Sequence, residues 1–120
     1  MAKEYTPDLQ KLFLEMMMQD AQNYVRVQNI FNPENFDRSL KDTATFIAEH
    51  SAKHATLPTY EMVKASVGVE LKPIPDMLDG HNDWFMAEFE GFTKRQELER
   101  AILKSADMLE KGEYDPVEKL

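Results

Sequence analysis

Cysteine is absent, and glycine and tryptophan are scarce: 120 residues hold four glycines and one tryptophan. Without cysteine there can be no disulfide framework and no thiolate zinc site. That suits a reducing compartment, and a cytoplasmic protein is the expectation. No apolar run approaches the roughly 20 residues that cross a bilayer. Met1-Ala-Lys-Glu-Tyr5 lacks the long apolar segment of a signal peptide, so no membrane partner is expected. Positive charge is also in short supply. Fourteen Lys and Arg stand against 22 Asp and Glu, a net charge of −8. A chain of that sign is repelled by phosphate backbones, which argues against direct tight binding of nucleic acid.

Catalytic signatures are missing as well. The sequence has no Gly-x-x-x-x-Gly-Lys-Ser/Thr loop to cradle phosphate, no Gly-x-Gly-x-x-Gly turn and no Gly-x-Ser-x-Gly elbow. No Asp-x-Asp-x-Asp-Gly loop is present for calcium. His50 and His54 sit four apart with Glu49 adjacent, a spacing that can hold zinc, but two histidines leave a tetrahedral site short of ligands. Histidines near the negative end of a helix dipole explain the pair better. His81 and Asp83 flank a helix start and read as capping residues rather than an acid–base pair. Glu88 and Glu90 fall on different helix faces. The expectation is no catalytic, cofactor-binding or metal-binding residue.

What is present is helix. Only Val67-Gly-Val-Glu-Leu71 alternates like a strand, and it is short. Thr6, Pro7 and Asp8 spell a helix start, followed by Leu9, Leu12, Phe13, Met16 and Met17 on one face. A short second helix is predicted from about Asp20, with Tyr24 and Val25 inward, ending before Asn32-Pro-Glu-Asn35. A third runs from about Phe36 to His54 and turns Phe36, Leu40, Thr43, Ala44 and Ile47 inward. Thr59 caps a fourth over Tyr60–Val67, stopped by Gly68. Leu71 to Gly80, with Pro73 and Pro75, is predicted to be irregular. Asn82 or Asp83 then caps a long helix reaching Lys111, with Gly112 as its stop. Asp115-Pro-Val-Glu118 spells another helix start close to Leu120, which reads as the beginning of a second hairpin arm cut short from a longer protein. The predicted class is all-α: a head of about four short helices over residues 1–80, then a long helix and a truncated hairpin over 81–120, forming one domain overall.

The long helix changes face. At roughly 100° per residue, Phe85, Phe89 and Phe92 form one cluster. Leu98, Ile102, Ser105 and Leu109 form another, rotated by roughly 120°. The aromatic half should pack on the head with Leu12, Phe13, Phe36, Leu40 and Ile47. The aliphatic half needs another partner, either a second hairpin arm or another subunit. Thr93-Lys-Arg-Gln-Glu-Leu-Glu-Arg100 between them reads as a solvated charged face. Gly91 lies inside the helix, at a cost of about 1 kcal/mol relative to alanine.

The order of these elements resembles the N-terminal domain of DnaB-type replicative DNA helicases, in particular the phage-encoded branch. Leu14–Asp20 followed by Ala21–Ile30 is similar to the family's opening helix pair, and Asn32-Pro-Glu-Asn-Phe36 to the turn that follows. Ala44-Thr-Phe-Ile-Ala-Glu-His50 and Ala55-Thr-Leu-Pro-Thr-Tyr-Glu-Met62 resemble its helix, Leu-Pro-Thr step and next helix. Trp84 to Lys111, then Gly112-Glu-Tyr-Asp-Pro116, resembles the long helix and turn of its helical hairpin. The resemblance implies a collar domain whose hairpins pair between subunits of a hexamer and on which primase, or a helicase loader, docks. ATP and magnesium would belong to a separate C-terminal motor. The alternative is a free-standing acidic helical adaptor, such as a loader, inhibitor or DNA mimic; a phosphate loop encoded about one domain length past Leu120 would decide for the helicase.

Overall fold

The computed structural model describes residues 4–110, with side chains through Ala106. Five α-helices and one 3-10 turn follow in order: α1 Pro7–Gln19, α2 Ala21–Val27, the 3-10 turn Pro33–Asn35, α3 Arg38–His54, α4 Tyr60–Val67 and α5 Asp79–Glu110. No strand occurs among the described residues. The fold is all-α.

Short side chains set most boundaries by satisfying the orphan N–H groups of each first turn. Thr6 Oγ1 accepts from the Leu9 N–H at 3.2 Å and starts α1. Asp20 Oδ1 accepts from Gln22 N–H at 3.0 Å and starts α2 one residue after α1 ends. Asp37 accepts from the Ser39 hydroxyl and N–H, and those two bonds hold its carboxyl below the usual range. Thr59 Oγ1 accepts from Met62 N–H at 3.1 Å to start α4, and Gly68, in the left-handed region at φ 75°, ends it. The C-cap of α3 has the same backbone but a less suitable residue. Ala55 sits at φ 59°, where its Cβ crowds the carbonyl. Ala55→Gly should therefore raise stability by about 0.5–1 kcal/mol, read as a higher urea midpoint at unchanged m-value.

The core is built around one phenylalanine. Phe13 is fully buried, and its ring lies 5.9 Å from Phe85, 5.6 Å from Phe89 and 5.6 Å from Phe92. Phe36, Leu40, Thr43, Ala44 and Ile47 are buried on α3. Gly91 lets α5 pass close to the N-terminal segment. A Cβ there would come within 2.7 Å of the Tyr5 hydroxyl, whose ring packs 5.5 Å from Phe92.

Three expectations are corrected. The long helix begins at Asp79, before Asn82 and Asp83. Its first turn is closed from behind: His81 Nδ1 accepts from Leu78 N–H at 2.9 Å. Asn82 instead reaches across the core, where its Oδ1 accepts from Asn23 Nδ2 at 3.0 Å. The third helix begins at Arg38, with Phe36 buried just ahead of it. Val25 points to solvent, because α2 is short and its buried face is taken by Asn23, Tyr24 and Val27. Leu12 is half-buried and packs against the core. Leu109 lies outside the described side chains; the stop at Gly112 and the second hairpin arm lie outside the described residues.

Candidate interaction surfaces

The first surface is the far end of α5. At 32 residues this helix is about 48 Å long at 1.5 Å per residue. Its early turns are held in the head by Phe85, Phe89 and Phe92 and, further on, by Gln96, whose Nε2 donates to the Asn35 carbonyl at 2.8 Å. From Glu97 to Ala106 every residue except half-buried Arg100 is exposed. Leu98 is 61% exposed, Ile102 58% and Leu103 69%, and Ser105 lies open beside them. Leu103 was not singled out by the spacing analysis. Its signal was only that it follows Ile102, on the flank of the stripe. Arg95 Nε donates to Glu99 Oε1 at 3.2 Å along the helix, an exposed pair worth little to stability.

The second surface is an apolar groove at the other end of α5. The connection between α4 and α5 carries Pro73 and Pro75 and cannot satisfy its own backbone in a ladder. Polar side chains of α1 hold it instead. Glu15 Oε2 accepts from Lys72 N–H at 2.7 Å, and Gln19 Oε1 accepts from Ile74 N–H at 3.0 Å and from the Tyr60 hydroxyl at 3.2 Å. Burial, and then the negative charge of Glu15, push the Tyr60 hydroxyl above its ordinary pKa. Between α1, this connection and the start of α5 lies a cavity of about 260 Å³, lined by Leu12, Met16, Ile74, Met77, His81 and Trp84. Sequence reasoning did not find it, since nothing in the local pattern singles out Glu15 or Gln19.

A third hollow, about 470 Å³ and open, lies between α2 and the end of α3, lined in part by Ala48, Ala52, Ala55 and Val25. Tyr24 backs it; burial raises the pKa of its hydroxyl, partly opposed by a hydrogen bond with Ser51. Beside it on α3, the rings of His50 and His54 lie 4.6 Å apart, with Phe46 5.8 Å from His50. Among the described residues no three His, Cys, Asp or Glu side chains converge as a metal site would require, so the two histidines have no third ligand there. No helix among the described residues is long and apolar enough to cross a membrane. Comparison with protein families, with curated proteins and with solved structures finds no match to this chain.

Proposed function

We propose that the chain is a non-catalytic assembly and protein-interaction module of a DnaB-type replicative helicase, pairing with copies of itself through the far end of α5. The observation that carries this is the aliphatic stripe of Leu98, Ile102 and Leu103, exposed on α5 past the Gln96 bond to the head. Burying a leucine-sized side chain contributes roughly 1.5–3 kcal/mol, so three such side chains in water favour any surface that covers them. The order of helices, the Leu57-Pro-Thr59 step into α4 and the long α5 support the helicase reading, by resemblance. In such an assembly ATP and magnesium would serve a separate motor, and primase or a loader would dock on the collar.

Sedimentation equilibrium tests the pairing. The chain should associate with increasing concentration. Ile102→Asp should be monomeric with an unchanged thermal melt, because a charge in that contact would lose its water without a partner while the head is left alone. A monomeric parent chain at high concentration, or an Ile102→Asp variant that still pairs, would overturn the proposal.

A further inference from the structure

The groove at the start of α5 has features that the assembly reading does not use. Trp84, 40% exposed, lines it, and Leu78, 65% exposed, follows the lining residue Met77 in the chain. From Trp84 to Leu98 is about 21 Å along the helix, so this surface is separate from the aliphatic stripe. At about 260 Å³ the cavity falls below the usual size of a small-molecule site, and its form suits individual apolar side chains.

Charge selects the occupant. Residues 73–93 contain Asp76, Asp79, Asp83, Glu88 and Glu90, and no lysine or arginine. Asp76, Asp79 and Asp83 are exposed, and each is within two residues of a groove-lining side chain: Met77, His81 or Trp84. On α1, Asp8 lies one turn before Leu12; by the same measure Lys11 beside Leu12 and Lys72 two residues before Ile74 are cations of the rim, which therefore carries both signs with carboxylates in excess. An apolar floor with carboxylates around it opposes nucleic acid and anionic lipid surfaces by repulsion. A second copy meeting this groove with its own groove would bring the same aspartates face to face. The geometry points to a partner protein that inserts the apolar face of a basic amphipathic segment into this groove. Its leucine-like side chains would cover Leu12, Ile74, Met77 and Trp84, and its lysines or arginines would face the aspartates. Mixed recognition of this kind draws affinity from the apolar anchors, and association rate and selectivity from the rim.

Trp84 is the sole tryptophan, so its fluorescence reports on the groove wall alone. The probe is a synthetic peptide of leucine and lysine, about 18 residues or five turns, with leucines spaced to form one helical face. It is titrated against the Ile102→Asp variant, so that self-pairing through the stripe does not contribute. A saturable change in Trp84 emission is expected, weakening as salt is raised. The triple variant Asp76→Asn, Asp79→Asn, Asp83→Asn alters only exposed side chains. It should bind about tenfold more weakly, the combined effect of three exposed charge pairs of modest strength. Met77→Ser should weaken binding while leaving the salt dependence in place. A scrambled peptide of the same composition that binds equally well would show that charge alone acts and would overturn the proposal. So would equal binding by a glutamate-for-lysine peptide, an unaffected triple variant or the absence of any Trp84 response. Concentration-dependent Trp84 change without peptide would assign the groove to a second copy and overturn it as well. Because the stripe is already disabled, these outcomes are independent of whether α5 pairs.

Discussion

Phe13→Ala should cost the fold about 3–5 kcal/mol, the usual range for truncating a buried phenylalanine. Phe13 has no exposed surface, and its ring meets four others, all on α5: Trp84 at 6.4 Å, Phe85 at 5.9 Å, Phe89 at 5.6 Å and Phe92 at 5.6 Å. Tilted and edge-to-face pairs of this kind add about 0.5–1.5 kcal/mol beyond the area they bury. The void left by alanine would be bounded by rings on a rigid helix that cannot collapse inward. A small domain holds only about 5–15 kcal/mol in total, so this one change should remove much of it. Phe13→Leu keeps most of the volume and loses the ring geometry, and should cost well under half as much. Urea unfolding of both variants checks the ratio. If alanine and leucine cost the same, the ring contacts rather than the cavity dominate the site. If alanine costs under about 1 kcal/mol, α5 is not anchored through Phe13.

The anchor was legible in the sequence because its signals are local and periodic. Phe85, Phe89 and Phe92 recur at helical spacing, as do Leu40, Ala44 and Ile47, and burial follows from that spacing. The starts at Thr6 and Thr59 and the stop at Gly68 were legible for the same reason. Each cap is made between residues three or four apart, so the whole interaction lies within one short window. The start of α5 was not legible. Asn82 is a good capping residue taken alone, but in the folded chain it is bonded to Asn23, 59 positions away. The vacated role goes to His81, acting on the backbone of Leu78, a reach-back more often made by glutamate or glutamine.

The two candidate surfaces divide along the same line. The aliphatic stripe could be located because a helix has one period, and Leu98 and Ile102 break from the face set by the phenylalanines. Its exposure is visible only once α5 is seen to outrun the head. The groove could not be located. It depends on how the Pro73–Pro75 connection lies against α1, and that path is set by Glu15 and Gln19 accepting from two backbone N–H groups more than 50 positions away. Nothing in the sequence around Glu15 distinguishes it from any other glutamate on a helix. Leu12 marks the consequence: the helical period places it with Phe13 and Met16, yet it is half-buried because it sits where the groove opens.

Asn23→Asp should be about as damaging as the loss of Phe13, although it exchanges only an amide nitrogen for an oxygen. Asn23 is 1% exposed, and its Nδ2 donates both to the Met16 carbonyl at 3.1 Å and to Asn82 Oδ1 at 3.0 Å. It thereby joins the end of α1, α2 and the first turns of α5. An aspartate in the same place would turn that donor into a charged oxygen facing two other oxygens. Asp20 is close by, since its Oδ2 accepts from Asn82 Nδ2 at 3.4 Å, so the new carboxylate would also meet a like charge. An uncompensated buried charge typically costs about 3–5 kcal/mol. Asn23→Ala, which only removes the donor, should cost about 1–3 kcal/mol. The aspartate variant has a pH signature that alanine lacks. Burial and the neighbouring oxygens raise the pKa of the new carboxyl in the folded state above its unfolded value of about 3.9. A protonated carboxyl can donate again, so the variant regains stability at pH below the unfolded pKa and loses it as pH rises through the folded pKa. Urea midpoints of both variants and of the parent chain, followed from neutral to acid pH, read this directly. The gap between Asn23→Asp and the parent should narrow toward acid, while the gap for Asn23→Ala stays constant. A constant gap for both would mean that the aspartate reaches water, and that the tie between α2 and the start of α5 is looser than the hydrogen bonds at Asn23 imply.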